Sequence, residues 1–108
     1  MSIHDKILQD LEQRILNSDY TSCYKNLNYC AKSGKLIGEI DLLAVKETKK
    51  NYLLLFEVKG GDHNRRKADN QLRKEEKYFE NDFDRIFKFY VYKPKRGKDY
   101  KIVWERKI

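Results

Sequence analysis

Charged residues interrupt two largely apolar stretches of the chain, and three of them could do chemistry together. Asp41 lies in Gly38-Glu39-Ile40-Asp41-Leu42-Leu43-Ala44-Val45, and Glu57 and Lys59 lie in Phe56-Glu57-Val58-Lys59. Both stretches read as β-strands, and side chains along a strand alternate faces with period two. Glu57 and Lys59 therefore share a face, and Val58 turns away from it. If the two strands pair as a hairpin, Asp41 falls opposite or diagonal to Glu57 on that face. Two converging carboxylates make a hard oxygen site of the kind Mg²⁺ or Mn²⁺ prefers, and the backbone carbonyl of Val58 offers a further oxygen. Lys59 supplies positive charge for an attacking water or a developing oxyanion. The plain alternative is a cross-strand salt bridge of Lys59 with Asp41 or Glu57, which at the surface contributes only about 0–1 kcal/mol. Charges set in apolar strands are costly to bury without partners, and that favours a functional site.

The elements that position these residues can be read from periodicity and turn residues. Ile3, Ile7, Leu8, Leu11 and Ile15 form one stripe of a helix over Ile3–Leu16, with Ser2 as N-cap and Asp5 in an acidic first turn. Tyr20–Tyr29 reads as an irregular first strand, Lys32-Ser33-Gly34-Lys35 as a turn, Leu36–Val45 as the second strand and Tyr52–Lys59 as the third. The run Leu53-Leu54-Leu55-Phe56 is apolar on both faces, as in a central strand covered on both sides. Gly60-Gly61 stops that strand. Asn64–Asn81 reads as a charged helix with a thin apolar face of Ala68, Leu72 and Phe79. Arg85–Tyr92 and Tyr100–Glu105 follow as strands around a Pro- and Gly-containing turn. The order is α-β-β-β-α-β-β: a meander, a helical crossover and a final hairpin. It predicts an α/β fold whose mixed sheet is flanked by two helices.

With 108 residues the chain is expected to form one domain. Its longest apolar run, Tyr52–Phe56, is far short of the roughly 20 residues of a membrane helix, and Met1–Gln9 carries charges where a secretory leader would be apolar. A soluble intracellular protein is expected, and Cys23 and Cys30 are expected as free thiols. The net charge is +7 and uneven. Residues 1–45 carry five Lys/Arg and six Asp/Glu, residues 46–108 nineteen and eleven. A basic half with interspersed tyrosines suits a polyanion such as nucleic acid. Arg65, Arg66 and Lys67 follow the third strand closely, where they could clamp a phosphate. Arg14 falls nearer the buried side of its helix than a solvent residue should, consistent with a carboxylate or phosphate partner.

Asp41, then Glu57-Val58-Lys59 on the next strand, after a helix carrying Glu12, resembles the PD-(D/E)XK nuclease superfamily over about residues 3–80. The short build is similar to archaeal-type Holliday junction resolvases, and the wording around Asp41 and Glu57 to the YraN-like and nuclease-related families of that clan. Ile40 stands where many members have Pro. The resemblance implies a restriction-endonuclease-like sheet and a Mg²⁺- or Mn²⁺-dependent endonuclease that leaves 5′-phosphate and 3′-hydroxyl ends. Asp41, Glu57 and Lys59 would be its core. It implies that Glu12, at the edge of its helical stripe, joins the metal shell, and that Gln71 faces the site from the second helix. Each also has a bland reading, as a boundary glutamate and a surface glutamine.

So small a domain has little surface for reading a long sequence, so DNA shape, such as a branch, is the more plausible target. A branched substrate has two strands to cut, which suits a symmetric homodimer. Phe87, Phe89, Val91, Tyr100, Ile102 and Trp104 supply either a dimer face or ordinary sheet core. The competing function is a non-catalytic nucleic-acid-binding module with tyrosines as stacking surfaces.

Overall fold

In a computed structural model of the chain, residues 2–20, 22–59, 65–96 and 99–104 are described, the side chain of Trp104 excepted. The elements are α1 (Ile3–Leu16), β1 (Ser22–Cys30), β2 (Leu36–Glu47), β3 (Asn51–Lys59), α2 (Arg65–Phe79), β4 (Arg85–Tyr92) and β5 (Lys101–Trp104). They match the predicted order, with ends moved by one or two residues. Gly60, Gly61, Asn64 and Glu105 lie outside the described residues.

The strands form one five-stranded sheet in the order β1-β2-β3-β4-β5. All neighbours are antiparallel except β3 and β4, which run parallel from Tyr52↔Arg85 to Lys59↔Tyr92. Parallel neighbours need a crossover, and α2 makes it. The helix begins beyond the end of β3, where Glu57 and Lys59 lie, and leads back to Arg85 at the start of β4.

Each face of the sheet carries its own core. On one side Ile7, Leu8, Leu11 and Ile15 of α1 meet Leu42, Ala44, Leu54, Phe56, Val58, Phe89 and Val91. On the other, Leu72 of α2 meets Tyr29, Ile40, Leu43, Leu53, Leu55 and Ile86. Full burial of an aliphatic or aromatic side chain contributes about 1.5–3 kcal/mol, so the four α1 residues hold that helix firmly. The Ser2 hydroxyl caps α1 by accepting from the Asp5 amide at 3.1 Å. On the opposite face, α2 is tied to β4 by Lys88 Nζ–Glu76 Oε1 at 3.2 Å and to β1 by Tyr78, whose hydroxyl donates to the Cys30 carbonyl at 2.8 Å. The turn between β1 and β2 places Gly34 at φ 88°, and its amide donates to the Ala31 carbonyl.

Phe89 and Val91 are buried, and Phe87 and Tyr100 pack partly against them, so most of the aromatic strand residues are sheet core; Ile102 remains exposed. Cys23 and Cys30 are free thiols. No described helix is long and apolar enough to cross a membrane.

Candidate active site

The site lies where β2 parts from β3 and its pairing with β1 skips one step. On one side the last pair between β2 and β3 is Leu42↔Phe56. One step further along the same register, Asp41 faces Glu57. On the other side the β1–β2 ladder runs through Lys25↔Leu42 and resumes at Leu27↔Ile40, stepping over Asn26 and Asp41. Asn26 there adopts φ 51°, a left-handed conformation that asparagine tolerates better than most residues. The regular alternation of β2 breaks at this point, and Ile40 and Leu43, three positions apart, both join the α2-side core.

Asp41 fills the gap. Its Oδ2 accepts a 2.8 Å hydrogen bond from the Val58 amide, and His4 Nε2 of α1 stands 3.6 Å from the same oxygen. The Val58 side chain is buried on the α1 side, as alternation requires, and those of Glu57 and Lys59 turn to the α2 side. Glu57 is only 1% exposed, with Lys59 Nζ 3.9 Å from its Oε2.

A second buried acid meets Glu57 from α2. Glu75 is also 1% exposed. Glu57 Oε1, both Glu75 oxygens and Gln71 Oε1 are buried with no hydrogen-bond donor facing them. Two ionised carboxyls cannot bond to one another, but a shared proton lets them do so. The electrostatics follow. Burial, then the charge of Asp41, then Glu75 push Glu57 up to about 10, against a smaller opposing effect of Lys59. Burial pushes Glu75 up to about 8; the bond with Glu57 opposes this, Asp41 adds to it and Lys59 offsets part. Tyr29 borders the pair, and burial followed by the charges of Glu75 and Glu57 raises its phenol. Gly38, paired with Tyr29 across β1 and β2, leaves room for that ring: a Cβ at Gly38 would stand 3.2 Å from it.

Of the residues expected at the site, Asp41, Glu57 and Lys59 come together, with Gln71 one helical turn before Glu75. Glu12 Oε1 lies 3.3 Å from Nζ of Lys25, the β1 residue paired with Leu42. Burial and then the Glu12 charge push up the nearby Cys23 thiol. Arg14 is exposed rather than near-buried. It pairs with Asp10 at 3.1 Å and lies over the Tyr100 ring, whose hydroxyl donates to Asp10. The helical stripe takes Leu11 and Ile15 into the core and leaves Arg14 on the flank beside Tyr100. Arg65, Arg66 and Lys67 form the exposed first turn of α2, with Arg65 3.9 Å from Asp69.

Glu75 escapes sequence reasoning because α2 is charged throughout, so one more glutamate reads as solvated. Its spacing is the available signal. Position 75 lies seven after Ala68 and three after Leu72, on the helix's own apolar stripe.

Among the described residues, no three His, Cys, Asp or Glu side chains stand in metal-ligating geometry. What fits a hard divalent cation is the chemistry of the donors: buried carboxyl oxygens gathered beside Lys59. No family model, no curated protein and no solved structure matches the chain.

Proposed function

We propose that the protein is a Mg²⁺- or Mn²⁺-dependent endonuclease that hydrolyses DNA phosphodiester bonds on a restriction-endonuclease-like sheet. One observation carries this reading. Asp41 and Glu57 meet at a strand fork, with Glu57 buried and Lys59 beside it on the same face. An ordinary salt bridge accounts poorly for that arrangement, because Asp41 and Glu75 crowd Glu57 more than Lys59 relieves it and Glu57 is forced toward its neutral form.

Asp41 and Glu57 would hold the cation, and Lys59 would neutralise charge on the transferred phosphoryl group or orient the attacking water. When bound, the cation supplies Lewis-acid activation and a lowered pKa for water. The Val58 amide fixes the Asp41 carboxylate, so this ligand is oriented before substrate arrives. Arg65, Arg66 and Lys67 lie in the turn of α2 that follows β3, close in sequence to Lys59, where they suit phosphate contacts. Such contacts give affinity without sequence, so branched DNA is the proposed substrate and a symmetric homodimer the form suited to it.

A labelled four-way junction and a duplex of matched sequence, each incubated with Mg²⁺ and with EDTA, test the proposal. Cutting only with Mg²⁺, and faster on the junction, is expected. Binding without cutting in every condition would favour a non-catalytic nucleic-acid-binding module. Equal cutting of both substrates would remove the preference for branches.

A further inference from the structure

The second helix places a third carboxyl against the site. Glu75 occupies a position on the Ala68–Leu72–Phe79 stripe where a leucine or methionine would continue the core at lower cost. It is 1% exposed, and apart from a proton shared with Glu57 its oxygens have no hydrogen-bond donor. Glu57 Oε1, on the strand it packs against, and Gln71 Oε1, one turn earlier in α2, are also buried without a donor facing them. This differs from a surface acidic cluster, whose members water would satisfy. Asp41 and Lys59 act electrostatically on both Glu57 and Glu75, so one set of charges surrounds both acids. The helix is not free to carry Glu75 away, because Lys88–Glu76 and Tyr78–Cys30 anchor it directly after that residue.

We propose that Glu75 is a metal-ligating residue of this site: the three acids do not stand in ligating geometry as they are, and Glu75 closes with Asp41 and Glu57 around a divalent cation as it binds, with Gln71 as a neutral oxygen at the border. The proposal rests on the nuclease reading and deepens it: the ligand set draws on β2, β3 and α2, and the first helix does not supply its glutamate. Glu12, engaged with Lys25, leaves that part to Glu75.

Calorimetric titration with Mn²⁺ in the absence of DNA tests the inference on wild type, Asp41→Asn and Glu75→Gln. Loss of an outer-shell partner alone weakens metal binding about 10–100-fold, so Glu75→Gln, which removes a direct ligand, should bind Mn²⁺ at least that much more weakly, and Mg²⁺ should raise its melting temperature less than that of wild type. A second measurement needs no variant. In wild-type protein the side-chain carboxyl ¹³C resonances of Asp41, Glu57 and Glu75 should move together as Mg²⁺ is added and saturate at one concentration. A Glu75 resonance that stays still overturns the inference, as does a Glu75→Gln affinity indistinguishable from wild type. If Asp41→Asn loses Mn²⁺ while Glu75→Gln keeps it, Glu75 is excluded and the nuclease reading stands. If wild type takes up neither Mn²⁺ nor Mg²⁺, both fall.

Discussion

The Val58 amide donates a 2.8 Å hydrogen bond to Asp41 Oδ2 across the point where β2 and β3 part. The side chain thus replaces the missing ladder bond, and it ties the acid to the strand that carries Glu57 and Lys59. An asparagine at 41 retains an oxygen acceptor for that amide, but an alanine leaves a buried N–H without one, at a cost of about 1–3 kcal/mol. Asp41→Asn is therefore expected to fold with near wild-type stability, and Asp41→Ala to be less stable. Urea melts of both variants check this, and equal stability would show the bond to be incidental.

The buried acid pair makes stability depend on pH in a definite direction. Glu57 is pushed up to about 10 and Glu75 up to about 8, both above the ordinary value of 4.5. Between about 4.5 and about 8 the folded state therefore holds protons that the unfolded state has released, and stability falls as pH rises. Each such proton contributes a slope of at most about 1.4 kcal/mol per pH unit. Glu75→Gln removes one of the two coupled groups, so its stability in EDTA should fall less steeply over that interval. Parallel pH profiles for wild type and variant would show that Glu75 does not take up its proton on folding.

Much of this arrangement was legible because strands and turns write themselves plainly in the sequence. Leu53-Leu54-Leu55-Phe56, bounded by Gly60-Gly61, read as a strand covered on both sides, and period-two alternation put Glu57 and Lys59 on one face. Glu12 shows where that logic ends. Helical phase placed it at the edge of the apolar stripe, but phase does not give its partner, which is Lys25 on the edge strand β1. The fork itself was invisible, since no residue type in the sequence demands the end of pairing at Leu42↔Phe56 or the left-handed backbone of Asn26. His4 was likewise out of reach, because its nearness to Asp41 depends on how α1 docks across the sheet.

Lys59 is expected to matter for the reaction rather than for the fold. It is the lysine beside Glu57, and its side chain is 19% exposed, open enough to meet a substrate. Lys59→Ala should lower the single-turnover cleavage rate about 10²–10³-fold, as loss of a transition-state stabilising group does. Most of the DNA affinity should survive, given the many other basic residues. Loss of binding in proportion to rate would make Lys59 a phosphate anchor only.

The first turn of α2 is expected to set the salt dependence of binding. Arg65→Ala combined with Arg66→Ala should flatten the log–log dependence of duplex affinity on salt by about 0.9 for each phosphate that is no longer neutralised. Fluorescence anisotropy in Ca²⁺, expected to support binding with little cutting, gives the slope. An unchanged slope would turn this face of α2 away from the nucleic acid.

The central claim is that the carboxylates at the strand fork make a metal-dependent nuclease. Cleavage of a labelled four-way junction by wild type and by Asp41→Asn, side by side in Mg²⁺, with binding of both measured in Ca²⁺, tests it most directly. The account predicts cutting by wild type alone, none by either protein in EDTA, and retained junction binding by the variant. Cutting by Asp41→Asn at the wild-type rate, or by wild type in EDTA, would contradict it.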